Sequence, residues 1–498
     1  MESKAKDKAA MRRTDALVGW AQTDITPSQP AMLWGQFHTR VSRGVLDPLT
    51  ATALAIEADS DMVIIVSCDL VFVTASLVAL VRKQIAGRAP GFDPAKLFLC
   101  ATHTHTAPVF VEGIYGAPEA GVMAPSAYEE YLSERVAGAA VQAWAQRKPG
   151  AVAWALSHAV LGRNRRTTYA DGHAVMYGAT VADDFDGFED GDDHRVQLLV
   201  TWDEHNNPTG VIVNLACPAQ LSEQSYYLSA DFWHEARTEI RRRLARDIFV
   251  LAQCAAAGDQ SPHVLIGKPA EDRMLKLAGL GTAAQARLAA AGLEDPDADC
   301  RLARRELFGQ RIADAVCGAL SLAARDIRRG IPFAHRVKTL RLPVRMVTDA
   351  KKEQAAQALA HYQATPADSL THHRRIVRAE GLIARHARQQ PSDGLEIEAH
   401  FLRIGDVAMV TNPFELFMHY GQQMTARSPA AQTFVVQLAG CALLGEMAKQ
   451  LGGLYLPTAR GVRGGSYSAN ADDNFVGPEG GQVLVEETVS TLKTLWSE

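Results

Sequence analysis

Residues 210–254 read GVIVNLACPAQLSEQSYYLSADFWHEARTEIRRRLARDIFVLAQC. Two short β-branched apolar runs, Gly210–Ala216 and Phe249–Cys254, flank a helical pattern. That helix is expected to be capped at Ser229-Ala-Asp231, and Arg241, Arg242 and Arg243 near its end suit the dipole. Runs of the same kind occur at Met62–Cys68, Leu97–Ala101, Val196–Thr201, Val407–Val410 and Phe434–Leu438. Most are too uniformly apolar to be half-exposed, which places them in the interior of a sheet. Their alternation with longer helical patterns predicts an α/β fold: a mixed central sheet covered by helices. A capping box, Ser126-Ala-Tyr-Glu129, predicts a further helix ending near Lys148-Pro-Gly150. The stretches 270–329 and 349–390 are rich in Ala, Leu, Arg, Lys and Glu and read as helical insertions that cover a face or form a lid. From Gly452 the chain is rich in Gly, Ser and Asn before a closing helix from about Gly480.

The length of 498 residues admits one large or two unequal domains. No repeat or low-complexity linker interrupts the chain, so residues 18–498 are expected to form a single domain behind a flexible segment, 1–17. A composition 47% apolar and 21% charged is that of a globular protein. The net charge of −5 and the lack of a basic run argue against a nucleic-acid partner. The charged N-terminus has no apolar signal core, and no run of 18 apolar residues could span a bilayer. The seven cysteines have no paired spacing and read as reduced thiols, and the expected location is the cytoplasm.

Four of the apolar runs stop at polar clusters: FLCA at THTHTAP, VIVNLA at CPAQ, VLAQCAAA at GDQSP and VAMVTN at PFE. Ligands of open α/β sheets bind outside the carboxyl ends of strands, so these clusters are expected to converge there. His103 and His105 form an HxH that is half of a metal site or a loop cap beside an exposed ring. Glu415 is the carboxylate partner or a first-turn acid; Ser261 in GDQSP is a nucleophile or substrate hydrogen-bond donor; Arg165 offers a fixed charge for an oxyanion. The GxGxxA at Gly279–Ala284 follows a helical pattern, so it carries no dinucleotide site.

Taken in order, DITP (24–27), Cys68-Asp69, THTHT, Asn164-Arg165, GDQSP, PFE and GLYLPT, with Tyr467 beyond Tyr455, resemble the catalytic domain of neutral ceramidases, zinc amidases that cleave the N-acyl bond of ceramide. The resemblance covers nearly the whole chain. It implies Zn²⁺ held by His103, Glu415 and Tyr455, with His105, Arg165 and Tyr467 around the reacting carbonyl and Ser261 within reach of substrate. It implies a metal-activated water, with a histidine as general base and acid.

The sequence departs from the family at three places. Where the family has its second histidine ligand, this chain has Cys217-Pro218-Ala219-Gln220; Cys217 could ligate as a thiolate, or His234 could enter from the next helix, or the thiol is inert. The family's signal peptide and C-terminal β-sandwich are not seen, which implies an intracellular enzyme. The basic character of the helical insertions points away from ceramide towards another small or amphiphilic amide or ester. The expectation is thus a zinc-dependent hydrolase, with homo-oligomerisation left open. The alternatives are a non-hydrolytic metal or ligand binder and a serine-centred esterase or amidase using Ser261. Asp69 is left as either a partner of a histidine or a strand cap.

Overall fold

Strands that are apolar on both faces need a cover on each side, and here a second sheet supplies one and helices the other. The computed structural model describes residues 15–295, 298–364, 370–391, 394–442 and 455–497, with backbone alone for 370–374 and 441–442. The larger sheet comprises β1 (Ala16–Asp24), β2 (Thr50–Ala58), β3 (Asp61–Cys68), β4 (Leu97–Ala101), β5 (Lys148–His158), β6 (Arg195–Trp202), β7 (Pro208–Leu215) and β8 (Phe249–Cys254). Their order is β8, β7, β6, β5, β1, β2, β3, β4. The pairs β7/β8 and β3/β4 are parallel and the others antiparallel, so the sheet is mixed.

The smaller sheet runs β9 (Phe333–Pro343), β10 (Gly394–Ile404), β11 (Val407–Thr411), β12 (Gln432–Val436). It packs face to face on the larger one: Val18, Leu54, Ile65, Phe98 and Leu251 share one buried cluster with Phe333, Leu402, Met409 and Phe434. Each such side chain contributes roughly 1.5–3 kcal/mol on burial, so this seam is a major source of stability.

The helices are α1 (Ala75–Ile85), α2 (Pro125–Ala145), α3 (Phe232–Leu244), α4 (Lys268–Leu277), α5 (Thr282–Ala290), α6 (Ala298–Ala323), α7 (Asp349–Ala364), α8 (Leu370–Arg388), α9 (Met418–Arg427), α10 (Ala459–Gly464) and α11 (Pro478–Ser497). The outer face of the larger sheet is covered by α1 and α2 at one end and by α3 and α6 at the other. The outer face of the smaller sheet is covered by α9 and α11. The architecture is therefore α/β, with the two sheets sandwiched between helical layers. Among the described residues no helix is long and apolar enough to cross a membrane.

All seven strands read from the sequence are present, and the helical stretches read at 270–329 and 349–390 hold α4–α6 and α7–α8. Asp231 caps α3 by accepting the Phe232 N–H at 2.7 Å. The capping box at Ser126 is not formed, because Pro125 opens α2 with Ala124 at the cap; proline has no N–H to satisfy and presets the helical φ. Glu129 instead accepts from the Ser76 hydroxyl at 2.7 Å, and Lys148–Gly150 opens β5 rather than a turn. Of the segment 1–17, residues 1–14 lie outside the described residues and Ala16 begins β1. The start of the glycine-rich loop, 452–454, also lies outside them.

Candidate active site

Two of the four polar clusters, THTHTAP and PFE, line one pocket, walled on its apolar side by Trp34, Phe37, Val71 and Phe72; CPAQ reaches it only through Gln220 on His105, and GDQSP lies behind it. His103, two residues past β4, has a left-handed backbone, with φ of +65°, a conformation that costs a non-glycine residue about 1–2 kcal/mol. Its Nδ1–H donates to the Val71 carbonyl at 2.8 Å, which turns Nε2 towards the pocket. That Nε2 lies 3.4 Å from Glu415 Oε2 and 3.2 Å from His105 Nε2. Glu415 and Tyr455 sit opposite each other in a short parallel strand pair, so their side chains share the pocket. The Tyr455 hydroxyl is hydrogen-bonded to Glu415 and to Tyr467, whose ring packs edge-on at 5.4 Å. Burial, and then the Glu415 charge, pushes the Tyr455 phenol well above its ordinary pKa.

Arg165 backs this group. It is buried; its Nη2 donates to the Gly258 carbonyl at 2.9 Å and the Tyr455 hydroxyl at 3.1 Å, and its Nη1 to the Tyr177 hydroxyl at 3.1 Å. Burial opposes its charge, yet Tyr455, Tyr177 and Glu415 together hold its pKa above arginine's usual value. Tyr177 passes the chain on by donating to Ser261 Oγ at 3.0 Å. Ser261 is fully buried in a two-residue pairing with Arg163–Asn164, the pairing that sets Arg165 against the Gly258 turn. A Cβ on Gly258 would come 2.3 Å from the Glu415 carbonyl, so only glycine lets this turn approach.

Burial drives the His105 pKa well below its ordinary value, helped by the charges of His103, Arg40, Arg165 and His263, and the ring is neutral near pH 7. Gln220 Nε2 lies 2.8 Å from His105 Nε2, and Glu223 Oε2 lies 3.5 Å from Nδ1. Gly35, at φ +105°, closes over the ring; a Cβ there would be 2.4 Å from His105 Cγ.

Thus His103, His105, Glu415, Tyr455 and Tyr467 line one pocket, and Arg165 and Ser261 stand behind it. Cys217 is elsewhere. Its thiol donates to the Pro218 carbonyl at 3.6 Å among Leu215, Phe232 and Trp233, and burial raises its pKa well above the ordinary thiol value. His234, on α3, has Asp47, Glu235 and Arg305 for charged neighbours rather than the pocket residues. Asp69 binds no histidine: it accepts from Arg237 at 2.7 and 3.0 Å and from the Thr50 amide at 2.9 Å, tying strand ends together. Gly279 lies between α4 and α5, with no strand before it. Among the described residues no group of three or more His, Cys, Asp and Glu side chains is arranged as a metal cage. Tyr177, Glu223 and Gln36 were not foreseen; each comes from a loop with no motif around it.

The fold is shared with a neutral ceramidase from Pseudomonas aeruginosa, at a TM-score of 0.66 and 16% identity over 97% of this chain and 75% of that one. A second solved structure, a ceramidase complexed with C2, matches at a TM-score of 0.65 and 15% identity over 97% of this chain and 76% of that one. No protein-family model and no curated protein sequence matches the chain.

Proposed function

We propose that the chain is a zinc-dependent hydrolase of an amide, N-acyl bond in a small or amphiphilic substrate. The observation that carries this reading is the convergence of His103, Glu415 and Tyr455 beside His105 at the carboxyl ends of the strands. In a tetrahedral zinc shell with bonds of about 2.0–2.1 Å, neighbouring donors stand roughly 3.3–3.4 Å apart. The His103 Nε2 to Glu415 Oε2 separation of 3.4 Å fits that edge, and His103 Nε2 is already turned inward. His103, Glu415 and Tyr455 would hold the ion. Under this reading Cys217 is not among the residues that would hold it, because its thiol is turned to Pro218.

Zinc, when bound, supplies Lewis acidity towards the amide carbonyl and towards water. The neutral His105 ring is suited to accept a proton at Nε2 and to return it to the leaving amine. Tyr467 presents a hydroxyl to the pocket as a donor to the developing oxyanion, and Arg165 fixes Tyr455 and adds positive charge behind it. The wall of Trp34, Phe37, Val71 and Phe72 suits an apolar acyl group. A serine-centred reaction has less support, since Ser261 Oγ is engaged by the Tyr177 hydroxyl and the His263 amide, neither of them a base.

The test is metal analysis of the purified protein together with a panel of N-acyl compounds, before and after chelation and zinc replacement. Stoichiometric zinc, and activity lost and regained with it, is the expected result. Activity that survives chelation but not Ser261→Ala would move the chemistry to the serine, and bound zinc without turnover would make the protein a binder.

A further inference from the structure

Arg165 and Arg166 are adjacent in the chain and serve different pocket tyrosines. Arg165 donates to the Tyr455 hydroxyl, whereas Arg166 reaches the loop that carries Tyr467. Arg166 is fully buried, and its guanidinium meets Glu189 in two parallel bonds, Nε to Oε2 at 2.8 Å and Nη2 to Oε1 at 3.0 Å. Its other N–H groups are directed at the loop. Nη1 donates to the Tyr467 carbonyl at 3.0 Å and to Ser468 Oγ at 3.2 Å, and Nη2 to the Gly465 carbonyl at 2.8 Å and the Gly461 carbonyl at 3.2 Å. Gly464 lets the loop come this near, since a Cβ there would lie 2.9 Å from Glu189 Oε1 and 2.8 Å from Ala174 Cβ. The loop needs such a hold. Ser466 and Ser468, on either side of Tyr467, both have left-handed backbones, with φ of +68° and +74°, which non-glycine residues keep only where their surroundings over-determine them.

We propose that the buried Arg166–Glu189 pair positions Tyr467 in the pocket, with Arg166 as the positioning residue. A guanidinium is a rigid planar fork, so once Glu189 takes one edge of it, the directions of the remaining N–H groups are set. Two of the acceptors they meet are the Gly465 and Tyr467 carbonyls, which lie in the peptide units before Ser466 and after Tyr467. With both units fixed, the side chain between them leaves the backbone in one direction. Its ring packs edge-on against Tyr455 and Phe37, each at 5.4 Å, and it lines the pocket. Two further bonds hold the loop, the Ser468 N–H on Asp473 Oδ2 at 3.1 Å and the Met176 N–H on Ser466 Oγ at 3.4 Å, and neither touches those carbonyls. A buried ion pair adds little stability over apolar packing of the same volume. The six bonds of Arg166 therefore mean orientation more than strength.

The effect of this hold on turnover rests on the hydrolase reading above, but the hold itself does not. The first measurement is ¹⁹F NMR of metal-free protein labelled with 3-fluorotyrosine, with the Tyr467 signal identified by its loss in Tyr467→Phe. Arg166→Lys keeps the charge but not the fork, and is expected to shift or broaden that signal while the signal of Tyr128, buried on α2, stays in place. The second is steady-state kinetics of the zinc-loaded protein in two backgrounds. In the parent, Arg166→Lys should lower kcat about 100-fold, the order expected for a displacement of about 1 Å at a reacting group, with KM and zinc content near those of the parent. In Tyr467→Phe, where the hydroxyl is already gone, the same substitution should leave kcat nearly unchanged. Arg166→Met gives the same comparison without the charge, and Arg166→Lys remains readable if Arg166→Met does not fold. An unmoved Tyr467 signal in Arg166→Lys overturns the proposal, as does an unchanged kcat in the parent background or an equal loss in both backgrounds. Absence of any hydrolysis in the parent would refute the hydrolase reading alone, with the NMR still deciding the hold on Tyr467.

Discussion

Asp259 provides a sharp test of the electrostatics behind the site. It is buried in the GDQSP turn, where Oδ1 accepts the Met418 N–H at 2.9 Å and Oδ2 accepts from Asn164 Nδ2 at 3.3 Å. Burial raises its pKa from 3.8 to about 6, with the charges of Asp190 and Glu189 adding to the rise and the Met418 N–H opposing it. Below pH 3.8 the carboxyl is protonated in folded and unfolded chains alike. Between 3.8 and about 6 the unfolded chain ionises first, so the fold loses stability as pH rises. Above 6 both forms are ionised and the deficit persists at about 3 kcal/mol, since each pH unit of displacement is worth about 1.36 kcal/mol. Asp259→Asn removes the charge and can keep the Met418 bond through its carbonyl. Its amide nitrogen would meet the Asn164 donor, at a pH-independent cost of about 1 kcal/mol. The variant should therefore be more stable than the parent by about 2 kcal/mol at pH 7.5, and should fall slightly below it at pH 4. Paired thermal melts at half-unit steps read the difference, in which other titrating groups cancel. A difference that stays flat with pH, or that shrinks as pH rises, would refute the reasoning.

Tyr177→Phe removes the hydroxyl linking Arg165 to Ser261, and should cost about 1–3 kcal/mol in a melt while lowering kcat and leaving zinc content unchanged. Arg237→Met strands the buried Asp69 carboxylate and should destabilise the fold by about 3–5 kcal/mol in denaturant unfolding. Cys217→Ser places a hydroxyl in an apolar cluster and should cost about 1–3 kcal/mol with zinc retained; loss of zinc in elemental analysis would show that the thiol is a ligand.

The strands that were legible in sequence are those covered on both sides, because only there is the run apolar throughout. β1, β2 and β5 were missed for a packing reason. Where α2 presses on β1 the strand must be thin: a Cβ on Gly19 would come 2.0 Å from the Ala143 carbonyl. The small residues such contacts select, as in ALVGWAQTD and TATALAIEA, weaken the β-branched signal. β9 and β10 were missed for the opposite reason, since Arg, Lys and Glu interrupt FAHRVKTLRLP and GLEIEAHFLRI at exposed or half-buried positions. The second sheet was therefore invisible as a layer, although two of its five strands were read correctly.

The site was legible wherever a polar cluster follows an apolar run, and less so where loops supply single residues such as Tyr177 and Glu223. At the CPAQ strand end the deciding information is parity. Val211, Val213, Leu215 and Cys217 share one buried cluster with α3 and α6, while Ile212 joins the seam between the sheets. Side chains alternate across a strand, so Cys217 continues the face that looks at the helices. A side chain from this strand end can enter the pocket only once the alternation is broken. Pro218 breaks it, the Ala219 N–H pins the turn to the Thr102 carbonyl, and Gln220 is the residue that then reaches His105. The chain has thus placed an amide and a carboxylate around the neighbouring imidazole at the strand end where the resembled family has a histidine ligand.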